Sequence, residues 1–155
     1  MANALRRIAA ATVVAATLDL GANFILWGLW KQVSPIRICQ TIATGIYGKA
    51  AFAGGWQTAF VGLVAHYLIM LGMAVVLYVA LTILPILKRL WLLTAIGYGL
   101  ALYGIMNYVV ISLSANGKPG TWPPVWGVPL YFNLFCHIVL VALVLILMLR
   151  DKEDS

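Results

Sequence analysis

Polar positions are sparse along this chain, and they divide it into four long apolar runs. The first extends from about Ile8 to Trp30, the second from Gln57 to Leu84, the third from Leu90 to Leu113 and the fourth from Val128 to Leu149. Each approaches or exceeds the ~20 apolar residues that a helix needs to cross the hydrocarbon core of a bilayer. The pattern predicts an all-α integral membrane protein. Its four transmembrane helices form one bundle of two hairpins in a single domain over residues 1–155, with a short tail at 150–155. The first run opens on Arg6 and Arg7 as a signal peptide would. Its apolar stretch is too long for one and carries Asp19 and Asn23, so it reads as a retained anchor.

The segments between the runs also carry pattern. Ser34-Pro35 has the chemistry of a helix start, a hydroxyl N-cap followed by proline in the first turn. From there Arg37, Gln40, Thr41 and Thr44 recur at helical spacing, with Ile38, Ile42 and Ile46 on another face. This predicts a short amphipathic helix at about 35–47, too short to span and suited to the headgroup region. Gly45, Gly48, Gly54 and Gly55 then turn the chain back into the bilayer. The loop from Ser114 to Gly127 is rich in glycine and proline. Trp30, Trp56, Trp122 and Trp126 all fall near predicted span ends, where indoles anchor helices at the membrane interface.

Composition agrees with this pattern: 64% of residues are hydrophobic, 9% are charged and the mean hydropathy is +1.01, values that require lipid as solvent. The net charge of +6 is spread in small groups between spans, so it marks topology and anionic headgroups and not nucleic acid. Arg6, Arg7, Lys88, Arg89, Arg150 and Lys152 fall on one side of the bundle; Lys31, Arg37, Lys49 and Lys118 fall on the other. The bias predicts both termini in the cytoplasm of a multi-pass protein. Its partners are the lipid bilayer and other membrane subunits or further copies of itself. Cys39 and Cys136 read as small hydrophobes.

Against that background one carboxylate stands out. Asp19 is the only acid upstream of the tail, and a charge at mid-membrane costs roughly 2.5–3.5 kcal/mol on insertion scales, so it needs partners. Candidates are Asn23, His66, Asn107 and His137. At 1.5 Å of rise per residue, both histidines lie about 13–14 Å below the start of their helices, and all five residues fall in the same half of the bilayer. Asp19 and Asn23 share a helix face, Tyr103 shares one with Asn107, and Asn133 shares one with His137. Ala59, Gly62, His66, Met70 and Met73 follow another single stripe. Trp56 precedes His66 much as Trp126 precedes His137, the signature of two tandem hairpins.

Three chemical readings follow. The cluster is interhelical glue, at about 0.6 kcal/mol per hydrogen bond, in an accessory or scaffolding subunit. Alternatively it is a proton or ion pathway through Asp19, His66 and His137, in which low dielectric penalises a bare carboxylate and a protonated imidazole offsets that penalty. As a third reading, His66 and His137 are the axial ligands of a b-type haem, or join Met70 and Met73 on a soft metal ion. Soluble-enzyme chemistry is not indicated: there is no H-E-x-x-H, no G-x-S-x-G and no phosphate-binding glycine loop.

The stretch Ala43-Thr-Gly-Ile-Tyr-Gly-Lys-Ala-Ala-Phe-Ala-Gly-Gly55, with Gly62-x-x-x-His66-Tyr67, Tyr103-Gly-Ile-Met-Asn107-Tyr108 and a histidine in the last helix, resembles a family of small, uncharacterised bacterial four-span inner-membrane proteins. The resemblance covers roughly residues 35–140. It implies the four-span architecture and a bacterial inner membrane, and it brings no activity, ligand or catalytic residue.

Overall fold

Small and apolar residues recur along helix α1 (Ala2–Lys31) at Ile8, Ala11, Ala15, Ala16 and Leu20, and this stripe turns inward in the computed structural model. The structure describes residues 2–115, 117, 120, 122 and 124–150. Lys118 and the acidic tail beyond Arg150 lie outside the described residues. Four helices are long and apolar enough to cross a membrane: α1, α3 (Gly55–Ile83), α5 (Trp91–Leu113) and α6 (Val128–Leu149). Helix α2 (Pro35–Tyr47) and a 3-10 turn at Gly48–Ala53 join the first two, and a single helical turn, α4 (Ile86–Arg89), joins α3 to α5.

The sequence-predicted spans coincide with these helices except at their ends. α1 begins well before Ile8 because the polar residues of its first turns stay helical beyond the apolar run. There the Arg7 guanidinium donates to the Leu149 carbonyl oxygen at 2.5 Å and to that of Met148 at 3.5 Å. A cation thereby satisfies carbonyls that the C-terminus of α6 leaves without helical partners. Both ends of the described chain therefore meet at one end of the bundle, and α2 lies at the other.

Helix α1 packs against α3 on one side and α6 on the other, and α6 in turn carries α5. At the termini end the packing is almost wholly apolar, Thr12 being the buried exception. Ala11, Ala15, Ala16, Ala74, Leu77, Leu145 and Ile146 are essentially inaccessible and form one core with Met70, Leu81, Leu102 and Leu149. Alanines at the crossing let the helix backbones approach, as packing in lipid favours. The Tyr98 hydroxyl ties α5 to α3 by donating to the Met73 carbonyl at 2.7 Å. Large apolar side chains such as Leu18, Leu68, Leu93 and Leu100 face outward around the bundle, where lipid would cover them.

Helix α2 starts where the sequence predicts. Ser34 Oγ accepts from the Arg37 backbone N–H at 3.3 Å, and Pro35 occupies the first position. Its buried face is turned onto α3: Gln40 Nε2 donates to the Gly55 carbonyl at 2.9 Å, and the Cys39 carbonyl lies against Gly62. Burial there pushes the Cys39 thiol above its ordinary value. A Cβ at Gly62 would overlap the Cys39 carbonyl oxygen, so only glycine permits this approach. Gly99 does the same between α5 and α6, where a Cβ would meet the His137 carbonyl oxygen at 2.9 Å.

The connections of the two hairpins, expected to be alike, differ. α2 fills the first connection, and the described residues between α5 and α6 contain no helix. Two further features were not anticipated: α5 widens to π-helical winding at Ile105–Val110 and α6 at Cys136–Leu143.

Replacing Gly62 by alanine is expected to lower stability by about 1–3 kcal/mol through overpacking against α2. Gly72→Ala, where nothing lies within 4 Å of the new methyl, is expected to be neutral or to gain up to about 1 kcal/mol of helix propensity. Unfolding of the two variants in mixed detergent micelles, monitored by circular dichroism, measures the contrast.

Candidate functional site

On α1 the inward stripe that begins with alanines ends with Asp19 and Asn23, so the helix that seals the termini end also carries a carboxylate into the α2 end. Asp19 Oδ2 lies 3.8 Å from His66 Nε2, and the two side chains are 15% and 13% exposed. The same Nε2 sits 3.1 Å from the Ala16 carbonyl oxygen. A carbonyl only accepts, so this nitrogen carries the ring proton and donates it across the α1–α3 contact. On its other side Asp19 faces α6, where Cys136 and His137 line a cavity with it. Asp19 thus stands between the two histidines.

His137 is oriented by its own helix. Its Nδ1 donates to the Asn133 carbonyl at 2.9 Å, which leaves Nε2 as the second ring nitrogen, and its ring stands edge-on to Tyr103 at 6.1 Å between centroids. The wide winding that begins at Cys136 sets the direction of this side chain, and such segments recur at functional sites. Asn23 acts more locally. Its Nδ2 donates to the Asp19 carbonyl oxygen at 2.9 Å, and its Oδ1 accepts from Trp27 Nε1 at 3.2 Å.

These groups line three neighbouring cavities that share wall residues. The largest, about 440 Å³, lies between Asp19, Asn23, Trp27 and His66 on one side and Ile38, Thr41 and Ile42 of α2 on the other. A second, about 160 Å³, shares Asp19, Asn23 and Trp27 with it and continues to Asn133, Cys136 and His137. A third, about 200 Å³, shares Asn133 with the second and reaches Tyr103, Asn107 and Tyr108 beneath the α5–α6 loop. The Asn133 Oδ1, at the junction of the last two, is buried with no hydrogen-bond partner. A roomy polar site with such an atom has the properties that hold ordered water.

No protein-family model, characterised protein or solved structure matches this chain. Its chemistry therefore has to be read from the site alone.

Of the residues singled out in the sequence, Asp19, Asn23, His66 and His137 are brought together around the first two cavities. Asn107 is not. It lines the third cavity, where its Nδ2 donates to the Tyr103 carbonyl at 2.9 Å and its own carbonyl accepts from Gly120 N at 2.9 Å. Helix α5 packs on α6 and not closely on α1, so Asn107 stays on the α6 side, bonded to the loop. Met70 and Met73 belong to the apolar core and its margin, away from both cavities that hold the histidines. Trp30, Trp56, Trp122 and Trp126 are exposed toward the α2 end, as interfacial anchors would be.

The arrangement does not fit a haem held between His66 and His137. His66 opens into the first cavity and His137 into the second, with Asp19 between them, and His66 Nε2 is bonded to the Ala16 carbonyl. Among the described residues, no three His, Cys, Asp or Glu side chains group so as to hold a metal ion. Sequence reasoning missed Cys136, taken for a small hydrophobe, and gave Asn133 only a place on the stripe of His137. Asn133 is four residues before His137, and Cys136 adjoins it, the one signal that pointed to them.

Removing the His66 bridge with His66→Ala is expected to cost about 0.6–1.7 kcal/mol. Asn133→Leu replaces a carbonyl oxygen that has no partner and is expected to leave stability unchanged or raised. Comparing the two variants in the same denaturation assay tests whether the Asp19–His66 side of the site is the part that holds the bundle together.

Proposed function

We propose that this protein is a proton-linked membrane carrier in which Asp19 is the proton-binding group and His66 and His137 are its exchange partners. The observation that carries this reading is the position of the only carboxylate in the spans, set between two imidazoles and facing cavities rather than lipid. An acid that served only as helix glue needs no adjoining space of this size. The cavities adjoin α2 and the α5–α6 loop, and the apolar core closes the termini end. Such a one-sided opening is what a carrier has in one of its two states. Towards the closed end, Thr12 Oγ1 is buried without a partner, a hydroxyl available to a proton once the helices move. The carrier belongs to the bacterial inner membrane on the resemblance of residues 35–140. Arg6, Arg7, Lys88, Arg89 and Arg150 at the termini end favour that end in the cytoplasm.

In liposomes enclosing a pH-sensitive dye, the wild-type protein is expected to dissipate an imposed pH gradient faster than empty vesicles. Asp19→Asn, of nearly the same shape, is expected to return the rate to that of empty vesicles. Equal rates for wild type, variant and empty vesicles across pH 5–8, a range of about three units around the ordinary histidine value, would sink the reading.

A second reading, an accessory or scaffolding subunit, is supported by α5. This helix contacts chiefly α6 and leaves Gly97 and Ala101 exposed on one face, with nothing within 4 Å of a Cβ at Gly97. Small residues four apart are a face against which another helix packs in lipid. Native mass measurement in mild detergent is expected to find a complex that Gly97→Leu disperses; isolated monomers throughout would count against this reading.

A further inference from the structure

The first cavity has a composition that selects its occupant. Its volume, about 440 Å³, falls within the range of roughly 300–1,000 Å³ typical of sites for small organic molecules. It is lined by one carboxylate, Asp19, and by no lysine or arginine. The only other titratable group on its wall is His66, whose Nε2–H is directed to the Ala16 carbonyl. The remaining wall is mostly apolar: Leu20, Val33, Ile38 and Ile42, with the Trp27 indole two turns along α1 from the carboxylate. Anions find no counter-charge here. A small metal ion finds one carboxylate and no set of three ligands among the described residues.

A carboxylate, an aromatic face and an aliphatic pocket together match an organic ammonium ion. The positive head pairs with the carboxylate, and the indole, farther along the wall, lies against the body of the ligand. The Asn23 amide does not compete for the cation, because it is already bonded to Trp27 and to the Asp19 backbone. The Thr41 hydroxyl is spent on the Arg37 carbonyl at 2.9 Å. That leaves Asp19 as the polar group free to receive the ligand's charge, and α2 as the wall that receives its carbon skeleton.

We infer that this cavity binds a small apolar amine in its protonated form, with the ammonium at Asp19 and the hydrocarbon body against Trp27, Ile38 and Ile42. The inference deepens the carrier reading, since an ammonium and a proton then occupy the same carboxylate in turn and the site keeps its net charge. The other groups facing that carboxylate are His66 from α3 and Cys136 and His137 from α6; those that α2 presents to the cavity carry no charge.

The test is isothermal titration of the full chain in lipid nanodiscs with 2-phenylethylammonium chloride, its neutral isostere 2-phenylethanol as control, and empty nanodiscs subtracted. The ammonium is expected to bind one per chain, and roughly 30-fold more tightly than the alcohol. Asp19→Asn is expected to lose that preference. Ile42→Trp, which fills the α2 wall and leaves the carboxylate intact, is expected to abolish binding of both compounds. Equal affinity for the two compounds in the wild type, no binding of either, or ammonium binding that survives both substitutions would overturn the inference. The fate of the carrier reading is separable: saturable ammonium binding without proton flux in liposomes supports the site and removes transport. Proton flux without ammonium binding keeps transport and removes the proposed ligand.

Discussion

A carboxylate within the hydrocarbon layer has to be met by protein groups, and the α2 end of this bundle is arranged around that constraint. Asp19 lies on the inward stripe of α1, one turn above the alanines on which α1 closes against its neighbours. Its insertion costs a few kcal/mol that no lipid contact offsets. His66 from α3 and Cys136 and His137 from α6 approach it from opposite sides. The same residue that is costly to bury thereby makes α1 the element on which both other inner helices converge.

The consequence is a bundle with two unlike halves. Towards the termini, alanine and leucine pack to near-complete exclusion of solvent, and Arg7 and Tyr98 fasten helices to one another through backbone carbonyls. Towards α2, polar side chains cannot interdigitate as aliphatic ones do, and space remains between them. Helix α2 closes that space from the side because Gly62 lets it rest on α3. A rigid half beneath an open one suits relative movement of the helix ends around a fixed site. The π-helical windings of α5 and α6 contain Asn107 and His137, and such segments recur at functional sites.

The four spans, the α2 start at Ser34-Pro35 and the shared face of Asp19 and Asn23 were all legible in the sequence. Each depends on interactions between residues near in the chain: apolar length, a side-chain oxygen on a nearby N–H, and the 3.6-residue turn. Asn107 lies apart from Asp19 because α5 packs on α6 and not closely on α1, a pairing that spacing within one helix does not reveal. Cys136 was passed over because a thiol in an apolar run has no local mark that distinguishes packing from contact with an acid.

Local order, then, was the property of the sequence: how many long apolar helices there are, where α2 begins, and which single acid must be sheltered. Tertiary structure alone decided that α1 lies between α3 and α6, that His66 reaches the Ala16 carbonyl while His137 stays bonded to its own helix, and that α2 walls a cavity. Those outcomes depend on which helix faces meet, and this is set by the close approach of backbones at Gly62 and Gly99 and at the buried alanines. Lipid solvates every apolar face about equally well, so hydrophobicity does not select among those pairings; shape and the few polar contacts do.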